Sequence, residues 1–530
     1  MTEWLMNRLD FLGPLRGFCW RNCRLQFLSI FAAGVIALLP VMLFVHRYID
    51  DYRRSFRGHL GWDHVGRPLA DVIFYLINFG RPGTAVAPLY LLLSIFLYAC
   101  VGLLIAKAFG LRSSVWSALA VLPLFAQPYG LENLSYGFDS ILMSLSVALA
   151  VVAAILLQAS LRGSVLFVAV FLLLFAFCLY QPGASGFIPS AGFLMIGAEL
   201  RLLSAPLAVM SLRARFLRSA VAFGAALLAY RIVALLTVEQ WNGYGERLSQ
   251  VMDTSKIFSL AFAGRLVEVW AQVVGDFGQG LPLLALLGLV ASYGLMVLKR
   301  AGFPRGLALL GFAALVACAS PGPLLLLKDS MLDVPRMLLF LGPLLTFVSV
   351  QLVALIYSDS LQHVRVGFSL LSTVCAKISL VAFAWLLLVF SYAYGHSFQA
   401  QNLFEQQRIS RLIWGVSELQ SVSPADEFRH ALVEGVMPAS PLLSNTVRKF
   451  PLIDRLVPRL LQDGWSHGLR QLAFYGLNLD RVKGADFDRS NLPDCAAAQS
   501  LCRSEFRLFR LNRETILIKL LPIANPPDQK

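Results

Sequence analysis

Charge is what this sequence has least of. Only 14% of its 530 residues are charged, where a soluble domain carries roughly a quarter, and mean hydropathy is +0.68. Long apolar runs alternate with short charged loops, which excludes a soluble globular chain. Histidine is scarce, at seven residues, and no spacing of His and Cys suits zinc. No cleavage site follows the first apolar run, which begins near Phe27 after Arg16, Arg21 and Arg24, so it reads as a retained first span. Acidic residues are outnumbered, 31 against 45 basic, for a formal charge of +14. In a membrane chain such basic excess marks cytoplasmic loops, so no nucleic-acid partner is expected.

What is present is a series of segments apolar enough to cross a bilayer. Eleven are read: Phe27–Val45, Val86–Ala106, Val115–Gln127, Ile141–Gln158, Val165–Tyr180, Ala184–Ala198, Ala220–Val238, Leu281–Leu298, Leu307–Leu327, Met337–Tyr357 and Ile378–Tyr394. The third and sixth are short and carry Pro123 and Pro189, which predicts kinked or partial spans. With the N-terminus in the cytoplasm, basic residues exceed acidic ones on the inner side and roughly balance them outside. The expected fold is an all-α polytopic membrane bundle of about 11 helices (residues 1–396), with an interfacial outer loop at 46–85. A small α+β domain (397–530) is then periplasmic, beyond the inner membrane.

The tail supports that placement. It holds 17 Lys/Arg and 14 Asp/Glu and no run long enough to span. Leu403–Leu419 has helical periodicity, and Glu505–Leu521 alternates as two strands. Cys495 and Cys502 could close a small disulfide loop, which an oxidising periplasm would allow, or they could stand as two thiols. The remaining cysteines read as packing residues.

Polar residues with chemical potential gather in the outer loops. Asp50 and Asp51 follow the first span, with Arg53, Arg54, Arg57, Trp62, Asp63 and Arg67 close behind. After Pro68, the residues Leu69, Val72, Ile73, Leu76 and Phe79 form one apolar helical face, suited to lie in the interface. Arginine forks grip phosphate, and a carboxylate beside them can take a proton from a hydroxyl. A solvated acidic pair balanced by arginines explains the same spacing. Glu132, Asn133, Tyr136 and Asp139 occupy a second outer loop, where capping of the next helix would account for Asp139 alone. A third loop carries Lys328, Asp329, Asp333 and Arg336, the last placed to bind phosphate or to snorkel. Arg231 lies within an apolar run, and Gln181-Pro182-Gly183 reads as a turn.

In the order IDDYRRSFRGHLGW…GRPLADVI, ENLSYGFDSILM, LYQPGASGF and VPRMLLFLG, these segments resemble the type II glucosyltransferase family, whose members add glucose to bacterial O-antigen. The likeness covers most of the first 410 residues; Arg53 after DDY and the divergent tail depart from it. The resemblance implies a GT-C-like glycosyltransferase using a polyprenyl-phosphate sugar donor and a glycan acceptor at the outer face of the bilayer. It implies Asp50 or Asp51 as the catalytic carboxylate, and Arg54, Arg67 and Arg336 as donor-phosphate ligands. Glu132, Asn133, Tyr136 and Asp139 would bind sugar or acceptor. No cofactor is demanded, and a divalent metal on the acidic pair stays open. A transporter or flippase of lipid-linked sugars is the main alternative, although polar groups deep in the spans and internal repeats are not evident. A non-catalytic partner in polysaccharide assembly is another.

Overall fold

The computed structural model describes residues 20–203, 211–241, 243–253, 259–360, 366–422, 427–482, 495 and 499–522. Arg16, counted above among the basic residues preceding the first span, lies outside them. The chain divides into two compact units. The first holds Met1–His46, Leu60–Arg81 and Val86–Tyr392, and the second Arg47–His59, Pro82–Ala85 and Ala393–Lys530. Two pieces of the first outer loop therefore group with the tail.

The first unit is a helical polytopic membrane bundle. Seven described helices are long and apolar enough to span: Cys23–Phe44, Leu89–Ala108, Ser140–Ala159, Leu212–Thr237, Leu281–Ala301, Pro335–Ser358 and part of Leu371–Val422. Their outer faces carry exposed Leu235, Leu236, Leu281 and Leu284, an apolar surface suited to lipid. The helix Leu341–Ser360 is mostly buried and sits at the centre of the bundle.

Other expected spans fall on shorter helices: Ser114–Ala126, Phe187–Glu199, Gly163–Leu179 and Phe303–Ala319. Among the boundaries that differ from the sequence reading, two change the architecture. The segment read as Leu307–Leu327 is helical only to Ala319, after which Pro321 and Pro323 turn the chain into a 3₁₀ turn at Gly322–Leu326. The last span and the tail helix, read as separate, are one helix, Val366–Val422, in which no proline interrupts the backbone ladder.

The second unit is built on a five-stranded sheet: β1 (His430–Glu434), β2 (Asp480–Arg481), β3 (Ser500–Cys502), β4 (Phe506–Arg510) and β5 (Thr515–Leu520). Its order is β2-β1-β5-β4-β3. The two strands read in Glu505–Leu521 are β4 and β5, which pair antiparallel, Leu508 opposite Ile518. β1 joins β5 in parallel, His430 opposite Thr515, a pairing that no local pattern announces. Alternation sends Ile516, Ile518 and Leu520 to one face, against Ile409, Leu412, Val416 and Leu419 of the long helix. Leu517 packs with Leu432 and Phe509 on the other face. Gly415 makes the close approach possible, because a Cβ there would lie 3.0 Å from Leu501 and 3.1 Å from Phe506. Cys495 and Cys502 are disulfide-bonded.

Candidate active site

The short helix Pro128–Ser135 starts as its sequence directs. Pro128 takes the first helical position, and the Gln127 side chain caps it by accepting from Tyr129 N at 3.0 Å. Glu132 and Tyr136 stand one turn apart and meet the same partner, Arg336, which the 3₁₀ turn Pro335–Leu338 carries. Glu132 accepts from the Arg336 guanidinium at 2.9 Å and from its backbone N–H at 2.7 Å. The Tyr136 hydroxyl accepts from the same guanidinium, which also stands 5.2 Å from the ring centroids of both Tyr136 and Tyr244. Asn133 lies on another side of the helix and donates to the Met143 sulfur at 3.0 Å.

Asp139 takes the N-cap position of the helix Ser140–Ala159 but makes no capping bond. Capping therefore does not explain it, contrary to the simplest sequence reading. Its carboxylate accepts from Trp62 Nε1 at 2.8 Å and lies 3.9 Å from the Arg67 guanidinium. Arg67 is itself buried, stacks 4.4 Å from the Tyr180 ring, and its Nε has no hydrogen-bond partner among the described residues. Tyr180 in turn donates to the Arg336 carbonyl at 3.2 Å, so one aromatic side chain links the two arginine environments.

The loop that delivers Trp62 and Arg67 is pinned from several sides. Asp71 accepts from the backbone N–H groups of Gly61 and Asp63 at 2.8 and 2.7 Å. Gln181 donates to the carbonyls of Val65 and Gly66 at 3.0 and 2.9 Å, and to the Tyr230 hydroxyl at 2.7 Å. Gln181 opens a short helix, Gln181–Ala184, where the sequence suggested only a turn. Gly66 is left-handed (φ +73) and has Trp241 and Tyr230 within 2.8 Å of where a Cβ would stand, so no other residue fits. The helix Pro68–Ile77 buries Ala70 and Phe74, while Val72 and Leu76, two members of the expected apolar face, stay exposed with Phe79 just beyond it.

Beside this cluster runs a mainly apolar cavity of about 190 Å³. Phe177, Leu227, Leu324 and Leu327 line it, with Gln181, Arg231 and Met337 among its other walls. The Arg231 guanidinium reaches the Ser249 carbonyl at 3.5 Å. Asp329 and Asp333 are both held by Arg247, at 2.7 and 3.0 Å. Those hydrogen bonds keep the Asp329 carboxyl below its usual range.

Asp50, Asp51 and Arg54 belong to the second unit. Asp51 is buried and accepts from Tyr48 N at 2.9 Å, while its own N–H donates to the Tyr48 carbonyl at 2.8 Å. It closes a tight loop whose Ile49 is left-handed (φ 36), a strained state for a β-branched residue. Asp50 is half-exposed, 3.8 Å from His467 Nδ1 and 4.0 Å from the Arg470 guanidinium. Arg54 donates to the His59 carbonyl at 3.1 Å. Among the described residues no group of three or more His, Cys, Asp or Glu is arranged to hold a metal ion.

Residues 39–347, more than half of the chain, match the family described as glucosyl transferase GtrII. The chain belongs to that family. The matched range takes in Asp50, Arg67, Glu132, Asp139 and Arg336 alike. This GtrII-family chain is also 39% identical over 129 residues to a Salmonella phage P22 protein described as an "uncharacterized 55.3 kDa protein in gtrB 5'region". That likeness covers 24% of this chain and 26% of the phage protein, so the chain spans about a quarter of the length of that curated relative.

Sequence reasoning missed Trp62 as a direct partner of Asp139, along with Tyr180, Gln181, Tyr244, Arg247 and His467. Only Gln181 left a signal, as a polar residue between two apolar runs.

Proposed function

We propose that this chain is a membrane glycosyltransferase that moves a sugar, glucose by family, from a polyprenyl-phosphate donor to a glycan acceptor such as O-antigen. The reaction takes place at the periplasmic face of the inner membrane, with the N-terminus cytoplasmic and the tail periplasmic. The Cys495–Cys502 disulfide supports an oxidising location for the tail.

The observation that carries the reading is the buried Arg67, whose Nε has no partner among the described residues, linked through Tyr180 to Arg336 beside an apolar cavity. A buried guanidinium donor that no described residue accepts from is costly and suits an anionic ligand. The donor phosphate is assigned to Arg67 and Arg336, and its isoprenoid chain to the cavity. Arg54 is left out because its guanidinium is engaged at His59. Glu132 and Asp139 orient those arginines and present oxygens to sugar hydroxyls, with Tyr136 and Asn133 in support.

Asp50 is assigned the base, since Asp51 is occupied in closing its own loop. The acceptor hydroxyl attacks the anomeric carbon, its proton passes to a carboxylate, for which the family resemblance nominates Asp50, and the carbon–oxygen bond to the phosphate breaks. Polyprenyl phosphate leaves as an anion, so no separate acid is needed, and direct displacement inverts the anomeric centre.

The test is transfer of label from radiolabelled undecaprenyl-phosphate glucose to endogenous lipid-linked glycans in membranes, with matched expression. Wild type should transfer, while Arg67→Gln and Asp50→Asn should lose at least about a hundredfold. Unchanged transfer in both variants would remove these residues from the mechanism, and no transfer by wild type would refute the donor.

A further inference from the structure

The second unit contains a cavity of about 270 Å³ that the glycosyl-transfer reading does not use. Four guanidinium groups line it: Arg53, Arg57, Arg470 and Arg481. Arg53 and Arg57 stand one turn apart on the helix Asp51–Arg57, where like charges repel. Arg470 comes from the helix Ser466–Phe474 and Arg481 from the short edge strand β2. Burial lowers the pKa of Arg470, and the charges of Arg53 and Arg57 lower it further, while Asp50 opposes them. The only carboxylate among the lining residues is Asp480. Among the described residues Arg53, Arg57 and Arg481 make no ion pair.

We propose that this cavity binds a phosphate group carrying two negative charges, as in a phosphomonoester or a pyrophosphate. Cations collected from two helices and a strand, at a mutual electrostatic cost, are stabilised by one anion placed among them. Guanidinium forks match phosphate oxygens in pairs, which a single carboxylate ligand would not satisfy across four arginines. Ser466 and Asn478 supply neutral donors at the wall. Exposed Phe56 and the apolar Leu469, Ala473 and Leu479 also line it, so a lipid headgroup or a soluble phosphate ester could supply the group. The lining shares no residue with the donor-phosphate assignment, although Arg470 stands 4.0 Å from Asp50.

The experiment uses the full chain, purified in detergent without phosphate, and titrates it with inorganic pyrophosphate while following thermal unfolding. Wild type should be stabilised, and Arg53→Gln/Arg57→Gln should bind at least about tenfold more weakly. Arg481→Gln, on a different element, should weaken binding in the same direction and covers the case where the double variant does not fold. A second arm places the protein in phosphatidylcholine nanodiscs with or without phosphatidic acid. If phosphatidic acid displaces pyrophosphate from wild type, the natural source is a headgroup; if it does not, the source is soluble. Absence of pyrophosphate and phosphatidic acid binding, or equal binding by wild type and the arginine variants, would overturn the site.

Discussion

Asp139 accepts a hydrogen bond from the indole of Trp62, 77 residues earlier, at 2.8 Å. Both side chains are buried, and Arg67 lies 3.9 Å from the same carboxylate oxygen. The loop before Pro68 is thereby tied to the start of a membrane helix. Trp62→Phe keeps an aromatic ring beside Phe74, 4.9 Å away in the wild type, but removes the donor and part of the buried ring volume. It should cost at least about 1.5–3 kcal/mol of stability, the range for a hydrogen bond to a charged group, with the lost ring volume adding to it. Denaturant unfolding in detergent reads this loss, and a change within error would mean that water replaces the indole.

Glu132 and Arg336 form a buried pair, with side-chain exposures of 3% and 15%. Removing one partner strands the other charge, so Glu132→Ala and Arg336→Ala should each destabilise by about 3–5 kcal/mol. The double variant should cost clearly less than the two single losses combined. A double-mutant cycle by thermal unfolding measures that coupling, and simple additivity would deny it.

Adjacent carboxylates are expected to fail in different ways. Asp51→Ala opens the ring that its side chain and backbone make with Tyr48, and should lower folded yield and stability by about 1–3 kcal/mol. Asp50→Asn should leave stability within about 0.5 kcal/mol and abolish transfer. Unfolding curves paired with the labelled-sugar assay separate the two, and the reverse pattern would exchange their roles.

Arg247 lowers the Asp329 carboxyl pKa from its ordinary 3.8, chiefly through a hydrogen bond. A carboxylate shifted down on folding adds stability above its unfolded pKa, and this fades as pH falls below 3.8 and is gone beneath the folded value. Asp329 is 47% exposed, so solvent screening holds the effect under about 1 kcal/mol. Arg247→Gln should therefore melt slightly below wild type at pH 7 and approach it as pH falls below 3.8, with the gap also narrowing in high salt.

Hydropathy made the membrane character of the chain readable, because a span must satisfy its own backbone and so leaves a long apolar run. Glu132 and Tyr136 were also readable as residues one turn apart. Their partner was not, since Arg336 lies 204 residues away and only the packed bundle brings it near. Gln181 read as a turn for the same reason: the carbonyls it holds are 115 and 116 residues distant. The merged helix Val366–Val422 escaped notice because the polar residues after Tyr394 suggested a break, whereas a helix ends on lost backbone bonds and not on a change in polarity.

The sheet order β2-β1-β5-β4-β3 puts the last strand at the centre. During synthesis β1 emerges 85 residues before its parallel partner, as the pairing of His430 with Thr515 shows. Until Thr515–Leu520 arrives, neither β1 nor β4 has the neighbour that shields its edge, and both are open to pairing with other chains. A premature stop codon just before Thr515 would therefore remove only a few percent of the protein yet split the sheet through its middle. Such a truncation should fail in quality control rather than persist as a slightly shortened enzyme.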